Sequence, residues 1–106
     1  MILVYMTAPS RAEAERIGRI LVEERLAACV NILGETGSIF RWDGEIRSET
    51  ETAFLAKTTR DMLDRLTETV RREHPYDVPC VIALPVVGGN PDFIAWVKEE
   101  CGPAWG

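Results

Sequence analysis

Residues 28–57 have the sequence ACVNILGETGSIFRWDGEIRSETETAFLAK. This stretch predicts one long β-hairpin, with strands at Cys29–Trp42 and Glu45–Lys57 joined by Asp43-Gly44. An Asp-Gly pair between two segments of alternating polarity is a strong hairpin signal, because a type I′ turn requires positive φ at both central residues. The rest of the chain can be arranged around this hairpin.

The two-residue turn also predicts which residues face each other across the hairpin. A slip of one residue would turn every side chain to the opposite face, so the turn fixes the register. Gly34 and Gly37 favour a bulge or a bend. The pairs on the side of Gly37 away from the turn are therefore less firmly determined than those nearer the turn. The expected pairs are Trp42 with Glu45, Ile39 with Ser48, and Ile32 with Leu55.

The length of the hairpin predicts self-association. Fourteen residues per strand, at roughly 3.3 Å each, give a hairpin of about 45 Å, whereas a compact domain of this size is only about 33 Å across. The outer part of the hairpin carries Ile39, Phe40 and Trp42, and an isolated two-stranded ribbon is marginal in water. We therefore expect a closed homo-oligomer that covers these side chains. The alternative is a bent, partly disordered hairpin on a monomer.

The composition indicates an ordinary globular protein with a single domain, residues 1–106. Hydrophobic residues make up 46% of the chain and charged residues 27%, with no signature of disorder. The formal net charge is −5 and the basic residues are scattered, so there is no basic stripe of the kind that binds nucleic acid. No apolar run approaches the ~20 residues that span a bilayer, and Met1–Met6 lacks the basic leader of a signal peptide.

The cysteines suggest a reducing compartment. Cys29, Cys80 and Cys101 are odd in number and have no paired spacing, which favours reduced thiols and a cytoplasmic location. Cys29 and Cys80 fall within predicted strands and are expected to be small buried residues. Cys101, near the C-terminus, is expected to be an exposed thiol.

Five further elements are predicted around the hairpin. Ser10 opens a Ser-x-x-Glu capping box, Thr58 or Thr59 caps a second helix that ends before Pro75, and Asn90-Pro91 begins a third helix. The expected bounds are a strand at Ile2–Met6, a first helix ending near Arg25-Leu26, a last strand at Val81–Leu84 that extends as far as Val87, and a third helix with Phe93, Trp96 and Val97 directed inward. This order predicts an α+β fold, a ferredoxin-like split βαβ sandwich with an extra C-terminal helix.

His74 is the first candidate for chemistry, because it is the only histidine and lies in the polar cluster Glu73–Asp77. As a metal ligand it would suit copper, zinc or nickel, with oxygen from Glu73 or Asp77. The alternative is a histidine at the end of a helix, hydrogen-bonded to backbone or carboxylate. No Cys-x-x-Cys motif and no glycine-rich phosphate loop is present.

Three other side chains could contribute to a site. Lys57 ends the hairpin among apolar neighbours, so it either extends to the surface or reaches into a cleft to bind an anion. Trp42 and Glu45 at the turn are expected at an interface, and Trp96 is expected in the core.

Seven segments together resemble the CutA family of divalent-cation-tolerance proteins. They run in order from about residue 3 to residue 97. The segments are Thr7-Ala8-Pro9, residues 21–32 (LVEERLAACVNI), residues 38–45 (SIFRWDGE), Leu55-Ala56-Lys57-Thr58, residues 74–79 (HPYDVP), residues 82–86 (IALPV), and Gly89-Asn90 with Trp96.

The resemblance implies a ferredoxin-like protomer in a tight homotrimer, whose long hairpins pack across subunits as in the PII signalling proteins. It implies copper binding and tolerance, and no enzymatic reaction. The family's proposed ligands, a cysteine and two histidines, correspond here to Met6, Glu73 and His74. Two further departures are Phe40 in place of a tyrosine and Cys80 in place of a glutamate. Cys80 could serve as a thiolate if its surroundings are electropositive.

Two hypotheses of different classes follow. In the first, the protein is a metal-tolerance protein that binds copper or another divalent cation weakly through His74, Glu73 and Met6. In the second, it is a PII-like regulatory or adaptor trimer that binds a small anionic ligand or a partner protein in a cleft between subunits. The cleft residues would be Lys57, Trp42, Glu45 and Tyr76.

Overall fold

The computed structural model describes residues 1–103 of the chain; residues 104–106 of the expected domain lie outside the described residues. The sheet has the strand order β2-β3-β1-β4, and every neighbouring pair is antiparallel. The elements are β1 (Ile2–Ala8), α1 (Arg11–Glu23), β2 (Cys29–Trp42), β3 (Glu45–Thr58), a 3₁₀ turn (Arg60–Met62), α2 (Leu63–Glu73), β4 (Val81–Pro85) and α3 (Pro91–Glu100). This confirms the predicted α+β, ferredoxin-like topology with its extra C-terminal helix.

The hairpin has the predicted turn and most of the predicted register. Asp43 and Gly44 have φ of 54° and 79°, as a type I′ turn requires. Trp42 faces Glu45 and Ile39 faces Ser48, as expected, but Ile32 faces Phe54 instead of Leu55. A bulge between Ile32 and Gly34 adds one residue to β2, and Gly34 adopts φ of 118°. The expected Ile32–Leu55 pair was therefore wrong by one residue.

The outer half of the hairpin extends beyond the rest of the sheet. Strand β1 pairs with β3 only from Thr52 to Thr58, so residues 34–51 project from the domain; we call this segment the arm. The molecule is 46 Å along its longest axis and 22 Å along its shortest. On the arm, Ile39 is 78% and Ile46 is 70% exposed. Apolar surface of this kind on a projecting ribbon indicates that something else covers it.

The main core lies between one face of the sheet and helices α1 and α2. Alternate residues of β1 point into it, and Val4, Met6 and Phe54 are fully buried there. The opposite face of the sheet lacks this cover, and Ile82 and Leu84 on β4 are about half exposed. Helix α1 begins as predicted, with the Ser10 hydroxyl oxygen accepting the Glu13 N–H.

The C-terminal region differs from the sequence expectation in two respects. Helix α3 begins with the predicted Asn90 cap, whose side chain accepts the Asp92 N–H. Of its apolar residues only Val97 is fully buried, and Trp96, expected in the core, is 39% exposed. Cys101, expected to be exposed, is buried with its Sγ 3.5 Å from Thr58 Oγ1. Helix α3 packs at the end of the sheet, where its Val97 forms a small buried cluster with Ala28 and Cys101.

Cys29 and Cys80 also depart from expectation, because both are only partly buried. Cys29 lies on the sheet face that lacks helices, opposite Lys57. Cys80 precedes β4, outside the strand. All three cysteines are free thiols.

Gly18 on α1 provides a first testable prediction. A Cβ atom at this position would lie 2.9 Å from Cγ1 of Val30, and the branched valine has little freedom to move away. We expect Gly18→Ala to lower the free energy of unfolding by about 1–2 kcal/mol, since overpacking outweighs the gain in helix propensity. Urea denaturation measures this. The control is Gly37→Ala on the arm, where a new Cβ meets nothing within 4 Å. A Gly18→Ala protein as stable as the parent would contradict the close packing of α1 on β2.

Candidate functional site

Both ring nitrogens of His74 form hydrogen bonds with the backbone. The residue follows the last turn of α2 and is buried. Its Nε2 lies 2.8 Å from the Thr7 carbonyl oxygen, and its Nδ1 accepts the Tyr76 N–H at 3.0 Å. The ring therefore donates from Nε2 and accepts at Nδ1, as a neutral imidazole does. This is the arrangement expected of a histidine that fixes the end of a helix, and it leaves neither nitrogen vacant.

The other two proposed metal ligands are also engaged within the chain. Glu73 Oε1 lies 3.3 Å from Arg16 Nη1, and its Oε2 lies 3.6 Å from Arg72 Nε. Met6 is fully buried in the main core. Within residues 1–103, no group of three or more His, Cys, Asp or Glu side chains is placed to hold a metal ion. As folded, His74, Glu73 and Met6 do not fit a metal centre.

A groove of about 700 Å³ lies between the arm and the loop after α2; we call it the arm groove. Its floor is the sheet face that lacks helices, and alternation along the strands places every second residue there. Its volume falls within the range typical of small-molecule sites. The lining residues are Tyr5 and Thr7 from β1; Ser38, Phe40, Arg41 and Trp42 from β2; Arg47, Glu49 and Glu51 from β3; and residues 76–80 from the loop.

Tyr76 connects the groove to the buried histidine. Its ring centroid lies 4.7 Å from that of His74. Burial raises the pKa of the Tyr76 hydroxyl above its usual value, and the nearby carboxylates of Glu51 and Glu49 raise it further. The hydroxyl is therefore held in its neutral form and can donate a hydrogen bond to a carboxylate.

Cys80 also lies near the negative charge of Glu51. Burial raises the pKa of its thiol, and the charge of Glu51 adds to the increase. The idea that Cys80 could act as a thiolate required electropositive surroundings, and that requirement is not met. The sulfur is a neutral thiol facing an acidic groove.

The raised pKa of Cys80 predicts a shifted alkylation profile. The rate of site-resolved iodoacetamide labelling should reach its midpoint at a higher pH in the folded protein than in the chain unfolded by urea, because the thiolate is the nucleophile. Glu51→Gln should move the midpoint part of the way back, since burial is the larger cause. A folded-state midpoint at or below that of the unfolded chain would contradict the acidic character of the groove.

The four residues expected to form a ligand cleft do not come together within one chain. Trp42 and Tyr76 both line the arm groove. Glu45 lies at the tip of the hairpin, with its Oε2 3.8 Å from Arg47 Nη2. Lys57 lies at the other end of β3, roughly 40 Å away along the strand, where its Nζ is 5.3 Å from the centroid of the Phe93 ring.

Glu51 is the groove residue that sequence reasoning missed. It is only 9% exposed, although it is charged and belongs to a strand whose outer half is solvent-exposed. The alternation of β3 places it on the same face as Glu49 and Arg47. That alternation was visible in the sequence, but the loop that buries Glu51 comes from residues 76–80 and could be located only in the folded chain.

The sheet order, the two covering helices and the long arm define the class of the molecule, a ferredoxin-like α+β domain. The family model described as CutA1 divalent ion tolerance protein matches residues 2–100. The chain belongs to this family, which is one of divalent-cation tolerance proteins. The resemblance noted in the sequence is thereby confirmed.

Relatives and solved structures agree with this assignment. The divalent-cation tolerance protein CutA of Thermus thermophilus is 45% identical over 94% of this chain and 97% of its own length, and its structure superposes with a TM-score of 0.93 over 96% and 100% of the two chains. The chloroplastic CutA of Arabidopsis thaliana is 42% identical over 93% of this chain, which spans only 54% of that protein. A structure described as the periplasmic divalent cation tolerance protein CutA of Archaeoglobus fulgidus is 40% identical, covers 94% and 98% of the two chains, and gives a TM-score of 0.90.

Within residues 1–103, no helix is long and apolar enough to cross a membrane.

Proposed function

We propose that the protein acts in the response to divalent metal ions as a homotrimeric binding module, and that its ligand site is the arm groove. The observation that carries this proposal is the groove itself, a cavity of about 700 Å³ with aromatic walls and a nearly buried carboxylate. A concave, largely apolar site with a few polar groups is the usual form of a small-ligand site. The module binds and regulates, and catalyses no reaction.

The trimer is supported by two apolar surfaces that one chain leaves uncovered. The arm exposes Ile39 and Ile46, and the sheet face without helices exposes Ile82 and Leu84. Closed symmetric assembly of identical chains is the common way to bury such surfaces. In the proposed trimer, with its PII-like arrangement, the arm groove borders a neighbouring subunit.

Direct binding of copper or another divalent cation is the second candidate, favoured by the description of the relatives as divalent-cation tolerance proteins. Its ligands would be His74, Glu73 and Met6. A metal at His74 would have to displace the bond to Thr7 or the bond from Tyr76. For this reason we place the function in the groove and treat metal binding at His74 as the weaker alternative.

Calorimetric titration with Cu²⁺ and Zn²⁺ separates the two candidates. We expect the same isotherms for the parent and for His74→Gln, because the histidine is committed to the backbone. Glutamine retains a side-chain donor for the Thr7 carbonyl, which favours correct folding, and thermal unfolding of the variant checks this. A tenfold or larger loss of copper affinity in His74→Gln would favour the metal centre over the groove.

We also propose a cytoplasmic location, supported by three free cysteines. Stable disulfides are typical of oxidising compartments and rare in the cytosol. The Archaeoglobus fulgidus protein is described as periplasmic, which is a different compartment from the one proposed here. Cell fractionation with an antibody against the protein tests it directly.

A further inference from the structure

Helix α3, with its cap and the two residues that follow it, has few contacts with the rest of the chain. We call residues 90–102 the α3 segment. In the described part of the chain, the main core contains no residue of this segment. Its fully or nearly buried side chains are Val97 and Cys101, which form a separate small cluster with Ala28. The α3 segment therefore shares little buried apolar surface with the sheet and the other helices.

Arg25 forms most of the polar contacts that hold the α3 segment in place. Its Nε donates to the Gly102 carbonyl oxygen at 2.5 Å, and its Nη2 donates to that of Glu99 at 2.8 Å. Its Nη1 lies 3.7 Å from Glu100 Oε2, and its own carbonyl oxygen accepts the Gly102 N–H at 2.9 Å. Among the described residues, the only other hydrogen bond between this segment and the rest of the chain is the sulfur contact with Thr58.

The backbone of Arg25 indicates that its side chain is needed at this position. Arg25 follows the end of α1 with φ of 59°, and the N–H groups of Leu26 and Ala27 both bond to the Leu21 carbonyl. This left-handed turn ends many helices, and it is usually occupied by glycine or asparagine because other side chains crowd the backbone there. Here an arginine adopts the strained conformation, and its guanidinium binds the last carbonyls of α3, where a cation is favoured.

The main core and the α3 segment therefore differ in what keeps them folded. Proteins open locally in cooperative units, and a unit with little buried apolar surface opens at a lower free-energy cost than the core. The α3 segment has one small apolar cluster and one guanidinium to keep it closed. Its opening would also separate the Phe93 ring from Lys57, whose Nζ lies 5.3 Å from the ring centroid.

We propose that the α3 segment is a conformational latch, which opens and closes as a unit while the sheet, α1 and α2 stay folded, and that Arg25 holds it closed. Opening exposes the Cys101 thiol and releases Lys57 from Phe93. The state of the segment thus decides which groups the end of the sheet presents to solvent. Neither the arm groove nor the proposed trimer enters this reasoning, so failure of the latch leaves the proposed function untouched.

Two probes of opening test the inference on the unmodified protein, namely amide hydrogen exchange by NMR and iodoacetamide labelling of Cys101 read by mass spectrometry. After correction for intrinsic rates, we expect the Trp96 and Val97 amides to exchange at least tenfold faster than the Val4 amide in the core. Amide and thiol should report the same opening constant. Fraying from the C-terminus would instead expose Cys101 first and leave Trp96 protected, and that result overturns the inference. Equal protection of Trp96 and Val4 also overturns it.

Arg25→Asn separates the role of the guanidinium from that of the turn. Asparagine tolerates the left-handed conformation but cannot replace the bonds of the guanidinium to α3. We expect Trp96 exchange and Cys101 labelling to rise at least tenfold, while the protection of Val4 stays within twofold. Arg19→Gln removes the same charge from the exposed face of α1 and should change none of these rates. Unchanged rates in Arg25→Asn, or equal losses of protection at Trp96 and Val4, would show that Arg25 is not what holds the segment closed.

Discussion

Replacing Ile39 and Ile46 together with glutamate is expected to convert the proposed trimer into single chains at micromolar concentration. Both side chains lie on the arm and are largely exposed in one protomer. In the proposed trimer, neighbouring arms cover them, and burial of each isoleucine contributes about 1.5–3 kcal/mol. Six new carboxylates per trimer would instead need partners in an apolar interface, which is strongly unfavourable. Size-exclusion chromatography with light scattering measures the mass.

Val22→Glu is the matched control for this experiment. Val22 is also an exposed apolar residue, but it lies on α1, away from the arm. We expect this variant to keep the mass of the parent. Circular dichroism of the double arm variant should still show a folded chain, since the arm contributes nothing to the main core. An unchanged mass in the double arm variant would show that the arm is not the contact between subunits.

Phe54→Ala is expected to cause the largest loss of stability of any single truncation in the core. Phe54 is fully buried and is the largest such side chain among the described residues. It lies on β3, where it faces Met6 across the strand pair and packs in the main core between sheet and helices. Removing a buried phenylalanine side chain costs about 3–5 kcal/mol, because transfer and cavity terms add. This is a large fraction of the roughly 5–15 kcal/mol by which a domain is stable.

Denaturant unfolding at a fixed chain concentration measures this effect, since the stability of an oligomer depends on concentration. Phe93→Ala makes the same chemical change on α3, where the ring is more than one-third exposed. We expect its cost to be less than half that of Phe54→Ala. Equal costs at the two positions would mean that the sheet–helix core is not the main source of stability.

Local signals in the sequence were sufficient to predict most of the fold. The Asp43-Gly44 turn, the Ser10 cap and the Asn90-Pro91 start depend on residues within a few positions of one another, so their outcomes could be foreseen. The bulge was harder, because Gly34 and Gly37 looked equivalent. Only Gly34 adopts positive φ, and the resulting shift changed the partner of Ile32.

Contacts between distant segments explain what the sequence could not predict. The partner of His74 is the Thr7 carbonyl, 67 residues away, so whether the ring was free for a metal could not be decided from Glu73–Asp77 alone. Glu51 lines the groove only because the loop at residues 76–80 packs against the inner end of the arm. Trp96 was expected in the core together with Val97, its neighbour on α3. The helix lies at the end of the sheet, and only Val97 is fully buried there.

The hairpin is longer than the domain that carries it, and in the proposed trimer sister subunits cover its arm and border the groove beside it. Light scattering on the purified, unmodified protein at micromolar concentration measures whether the chains associate in this way. We expect a single species with three times the 11.9 kDa mass of the chain. A well-folded species with the mass of one chain, 11.9 kDa, would contradict it.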